Sequence, residues 1–115
     1  MDARETLVNA ATRRRREALD RWQRIGAGAS ACALAKSGVS FPAAKLEEGR
    51  VAALGELLRA LKKTDAADAA VELETLRDRW FAERDGGDGV RSRDWKAYRT
   101  GGAEELGDLA SEFGC

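Results

Sequence analysis

The sequence predicts an all-α protein: a small helical bundle built on a long antiparallel helical hairpin plus an N-terminal helix, with two short C-terminal helices. Three observations predict it. No stretch alternates apolar and polar residues at period two for long enough to be a strand. There is one Pro in 115 residues, and long runs rich in Ala, Arg, Glu and Leu lack Gly and Pro altogether. Within those runs the apolar residues recur at spacings of three and four.

The first element is a helix over about 2–25. Val8, Ala11, Ala18, Trp22 and Ile25 form its stripe, Arg15 fills the gap in the row, and Gly26 ends it. In the stretch 26–40, Ser30 is a candidate cap for a short helix over 31–36. Pro42 suits the first position of the next helix, which runs over about 42–63. Its stripe is Ala44, Val51, Leu54, Leu58 and Leu61, widened by Leu46 and Leu57 and interrupted by Glu47. Gly49 and Gly55 inside it cost about 1 kcal/mol each relative to Ala, which is worthwhile only if another backbone passes close by or the helix bends. Lys62 and Lys63 complement the C-terminal end of its dipole. Asp65, with Asp68 three residues on, starts a third helix over about 65–84, whose row is Ala66, Ala69, Leu73, Leu76 and Trp80. The short link implies an antiparallel hairpin. Residues 1–88 thus form the bundle. Residues 89–115 form a helical tail: one short helix carrying Trp95 and Tyr98, a break at Gly101-Gly102, and a second carrying Leu106, Leu109, Ala110 and Phe113. This tail packs on the bundle or on a partner.

Composition narrows the chemistry. The chain has no His, which removes the commonest general acid/base and metal ligand. Cys32 and Cys115 lack the paired spacing of a zinc or redox motif and read as free thiols. Asp85-Gly-Gly-Asp-Gly89 has too few ligands for a calcium loop, and Gly26-Ala-Gly-Ala-Ser30 lacks the Lys-Ser/Thr of a phosphate cradle. No cofactor, metal or catalytic residue is expected, and the reading points away from an enzyme. No apolar run approaches the ~20 residues that span a bilayer, and the charged start Met1-Asp2-Ala3-Arg4-Glu5 does not read as a signal peptide. The expected location is the cytoplasm, or a virion if the chain is phage-encoded. The Arg-, Ala- and Gly-rich composition fits a high-GC bacterial or phage genome.

Basic and acidic residues balance at 20 each, but not evenly along the chain. Residues 1–26 carry seven Arg against four acids, and 101–115 carry four acids and no base. Blocks of this kind suit a charge match within or between chains. Arg13-Arg14-Arg15-Arg16 spreads around the first helix. Arg13, Arg14, Arg16, Arg21 and Arg24 are the candidates for nucleic-acid phosphate contact, against a plainer reading as a solvated face with Arg13–Glu17 and Arg16–Asp20 pairs. Arg15 and Glu47, each a charge inside an apolar stripe, are the candidate buried pair.

Five of the seven aromatics, Trp80, Phe81, Trp95, Tyr98 and Phe113, lie in the last 36 residues. Of the 50 apolar residues 22 are Ala, so large side chains are scarce and oligomerisation would supply the missing core. The five aromatics are therefore candidate protein-interface residues. The leading expectation is a non-catalytic assembly or adaptor protein, working through helix–helix contacts with itself or another protein. Deleting 89–115 should then weaken assembly and leave the long helices folded. The alternatives are a nucleic-acid-binding accessory using the Arg13–Arg16 helix, and a small-ligand-binding bundle.

Overall fold

The computed structural model describes residues 2–26, 42–86 and 93–114. Among these there are four α-helices, one 3₁₀ turn and no strand. The expectations for 27–40, for Cys32 and Cys115, and for most of the Asp85–Gly89 loop concern positions outside the described residues.

Helix α1, Ala3–Gly26, is capped by Asp2, whose Oδ1 accepts the Glu5 N–H at 2.8 Å. Helix α2, Pro42–Leu61, opens on proline. Its last carbonyls would be orphaned, but Thr64 Oγ1 donates to Ala60 O at 2.7 Å and Arg4 Nε donates to Leu61 O at 2.7 Å. That second bond also pins the start of α1 to the end of α2. Asp65 caps a 3₁₀ turn, Ala66–Asp68, which leads into α3, Ala69–Asp85. The third helix thus begins with a tighter turn where the spacing predicted a regular helix from 65. Its end is closed by the Gly86 N–H on Ala82 O at 2.7 Å.

The C-terminal segment departs from expectation. It is one helix, α4, Arg93–Glu112, and runs straight through Gly101-Gly102. The glycines do not end the helix because its neighbours come too close for any side chain there. A Cβ on Gly101 would run into the carbonyl of Leu46 in α2, and one on Gly102 into the Trp80 ring of α3. Gly49 reciprocates, since a Cβ there would strike the Tyr98 carbonyl of α4. Gly49 and Gly101 therefore form a close backbone crossing of α2 and α4, the more favourable of the two fates expected for Gly49. At Gly55 a Cβ would meet only ordinary contacts. Gly114, at φ 75°, supplies the left-handed residue that follows α4.

Helix α2 is central. It touches α1, α3 and α4, and its most extensive contact is with α4 rather than with α3, its neighbour in sequence. Its buried residues accordingly surround most of its circumference: Val51, Ala53, Leu54, Leu57 and Leu61, with Glu47 and Gly49. Leu7, Leu73, Trp80, Leu106 and Leu109 complete the core from the other helices. Since Leu106 and Leu109 have no exposure, the last helix is part of the core. It is not an appendage that can be removed without consequence.

The buried face of α1 is turned by roughly 45° from the stripe that spacing suggested. Leu7, Ala10, Ala11 and Ala18 are buried, whereas Val8, Trp22 and Ile25 are half-buried. The rotation brings Arg14 and Arg21 into the row between α2 and α4, and leaves Arg15 beside α2 at Gly55.

Candidate functional site

The polar centre of the molecule is a chain of ion pairs where α1, α2 and α4 meet. Its members occupy core-facing rows at three- and four-residue spacing. On α1 the row is Leu7, Ala11, Arg14, Ala18, Arg21. On α2 it is Glu47, Arg50, Leu54, Leu57, Leu61. On α4 it is Tyr98, Gly102, Glu105, Leu109. Folding therefore carries charges into the interior, and each must find a partner.

Glu105, 3% exposed, is gripped from both sides. Arg14 Nε reaches Oε1 at 2.8 Å, and Arg50 Nη1 reaches Oε2 at 2.8 Å. Glu47 takes Arg21, whose Nε lies 3.1 and 3.0 Å from the two carboxylate oxygens, and Arg50 Nε lies 3.7 Å away. At the outer end Arg14 Nη1 meets Glu112 at 3.1 Å, and Arg13 Nη2 meets the same carboxylate at 3.4 Å. Burial works to lower the pKa of Arg14, but the hydrogen bond to Glu105 and the charges of Glu105, Glu112 and Asp108 outweigh it and hold it above the usual range. The basic block of α1 is thus matched to the acidic block of α4 within the chain.

The expected Arg15–Glu47 pair does not form. Glu47 is buried as supposed, but the rotation of α1 hands it to Arg21. Arg15 faces Gly55, and its Nε is buried with no hydrogen-bond acceptor. Of the proposed nucleic-acid cations, Arg13, Arg14 and Arg21 are held by carboxylates of the chain itself. Arg24 Nε donates to Asp20 O at 3.4 Å. Arg16 is exposed and forms no ion pair among the described residues, so only Arg13–Glu17, at 3.9 Å, stands from the two surface pairs expected.

The candidate interface aromatics all make contacts within the chain, and four of them keep part of the side chain exposed. Trp80 is 1% exposed, and Phe81, Trp95, Tyr98 and Phe113 are half-buried. Trp80 and Tyr98 meet at 5.6 Å between centroids. The Arg99 guanidinium lies 4.8 Å from the Trp80 centroid, 5.6 Å from Tyr98 and 5.7 Å from Trp95, with Nη1 on Glu83 at 2.6 Å. This cation–π cluster joins α3 to α4. At the far end of α3, Arg84 lies over Phe81 at 4.7 Å and bonds Asp85 at 2.8 Å, and that hydrogen bond holds the Asp85 carboxyl below the usual aspartate range.

Chemically, the central network is suited to fixing helix register. The oxygens of Glu105 and Glu47 are taken by arginine donors. Sequence reasoning missed Arg50 and Glu105. The signal was their place in the three-four rows, and for Glu105 it was hidden by treating Gly101-Gly102 as a helix end. Among the described residues no cluster of acidic or cysteine side chains is placed to hold a metal ion, and no helix is long and apolar enough to cross a membrane. No protein-family model, curated protein or solved structure matches the chain.

Proposed function

We propose that this chain is a non-catalytic helical assembly or adaptor protein that works through helix–helix contacts, with itself or with another protein. The observation that carries the reading is the neutralisation of both buried carboxylates. Glu47 and Glu105, the acids best placed for chemistry by burial, are each held by arginines of neighbouring helices. The polar interior acts as a clamp that presents α1, α2 and α4 as one rigid body. Because the aromatics are used within the chain, the contact surface belongs to the outer helix faces in place of an aromatic tail. On α3 and the turn before it, Ala66, Ala67, Ala70 and Val71 are exposed, Val71 by 58%. Small side chains of this kind let a second helix approach closely. The engagement of Arg13, Arg14 and Arg21 weighs against the nucleic-acid alternative, which needs a row of unpaired cations.

The test is absolute mass by light scattering over a range of concentrations at moderate salt. A fixed multiple of 12.5 kDa is expected. A monomer at every concentration, together with salt-sensitive binding to duplex of arbitrary sequence, would replace this reading with the nucleic-acid one.

A further inference from the structure

Two arginines near the network stand apart from it. Arg15 on α1 and Arg59 on α2 converge over Gly55. An ideal Cβ on Gly55 lies 3.5 Å from Arg15 Nε and 3.5 Å from Arg59 Nη1, so the two nitrogens are at most twice that distance apart. Neither guanidinium has a carboxylate partner among the described residues. Arg15 Nε is moreover buried with no hydrogen-bond acceptor, whereas Arg59 is exposed. The result is a pair of like charges, Arg15 half-buried and Arg59 exposed, that come together over a glycine with no carboxylate between them among the described residues.

The same chain shows what such a pair of arginines holds. One position before Arg15, Arg14 and Arg50 grip Glu105 at 2.8 Å on each side. Guanidinium forks match oxyanions in geometry as well as charge. Two guanidiniums held this close without a counter-charge repel each other, and an oxyanion between them would remove that cost.

The geometry points to an oxyanion site between Arg15 and Arg59 that takes the carboxylate of an acidic side chain on a protein partner. The inference rests on the assembly reading and names the chemistry of its contact. A carboxylate fits better than a nucleic-acid backbone. The pair offers two cations for one anion, and most of the neighbouring arginine run is engaged within the chain, whereas a nucleic-acid backbone needs a row of unpaired cations. An acidic side chain entering from outside completes the Arg15–Arg59 pair as Glu105 completes Arg14–Arg50.

The test follows the arginine Nε–Hε resonances of the full chain during titration with sodium acetate at constant ionic strength, with sodium phosphate as a parallel arm. Arg15 is expected to shift saturably with acetate while Arg14, Arg21 and Arg50 stay in place, and Arg59→Gln should abolish the saturation. Gly55→Glu, which brings a carboxylate to the two arginines from α2 itself, should shift Arg15 without acetate and remove the response. Gly55→Gln should not. An Arg15 signal unmoved both by acetate and by Gly55→Glu would overturn the site, and affinity at least tenfold higher for phosphate than for acetate would overturn the carboxylate assignment. A responding site in a strictly monomeric chain would count against the assembly reading alone, and an oligomer with a silent Arg15 against the site alone.

Discussion

Gly49→Ala tests the close crossing of α2 and α4 directly. The new Cβ would strike the Tyr98 carbonyl oxygen, and it would also lie 2.8 Å from that carbonyl carbon and 3.1 Å from Tyr98 Cα. Ordinary carbon–carbon contact is about 3.5–4.0 Å, so α4 must retreat by roughly 1 Å. The opposing atoms are backbone, and no rotamer change relieves them. Overpacking costs about 1–3 kcal/mol, and a rigid clash belongs at the upper end. Alanine returns about 1 kcal/mol of helix propensity, leaving a net loss of ~2 kcal/mol, or roughly 10 °C in Tm for a chain of this size. Gly55→Ala is the internal control. Its Cβ meets only the Arg15 and Arg59 side chains at 3.5 Å, so the same propensity term should stabilise the protein by up to ~1 kcal/mol. Urea unfolding followed by circular dichroism measures both. The double variant Gly49→Ala/Gly101→Ala should lose about 1 kcal/mol less than the sum of the singles, because one retreat of α4 makes room for both methyl groups. If Gly49→Ala stabilised the protein as Gly55→Ala does, the crossing as described would be wrong.

Glu105→Ala removes the carboxylate that Arg14 and Arg50 share, leaving them their longer contacts to Glu112 and Glu47, and should cost about 2–3 kcal/mol. Glu112→Ala, which removes a more exposed pair, should cost under about 1 kcal/mol, and chemical denaturation separates the two. Deleting 93–115 should abolish cooperative thermal unfolding, since it removes Leu106 and Leu109 from the core. A retained sharp transition would mean that 2–86 folds alone. By carbon-13 NMR the Asp85 carboxyl should titrate below the ordinary aspartate value, and Arg84→Ala should return it to that value. Because the folded pKa is the lower one, any stability from this pair is present above the unfolded value of 3.8 and is lost as pH falls through the folded one.

The helical class, the start of α2 at Pro42, the Asp65 cap, and the burial of Leu54, Leu73, Leu106 and Leu109 are legible in the residues alone. Those follow from local propensity and three-four spacing, which act over one or two turns and need no knowledge of the neighbours. The sequence also places opposite charge blocks on 1–26 and 101–115, and these meet as Arg13 and Arg14 against Glu105 and Glu112. Tertiary structure decided the rest. Gly101-Gly102 has the composition of a helix end, and it stays helical because Leu46 and Trp80 occupy the space that side chains would need. The Ala-rich seam of α1 is apolar over a broad arc, so its rotation is not set by its own residues. Contact with α2 and α4 sets it, and that rotation assigns Glu47 to Arg21, brings Arg14 to Glu105, and leaves Arg15 with Arg59 across Gly55. Which charges are paired depends on the relative rotation of packed helices, and no single helix encodes that.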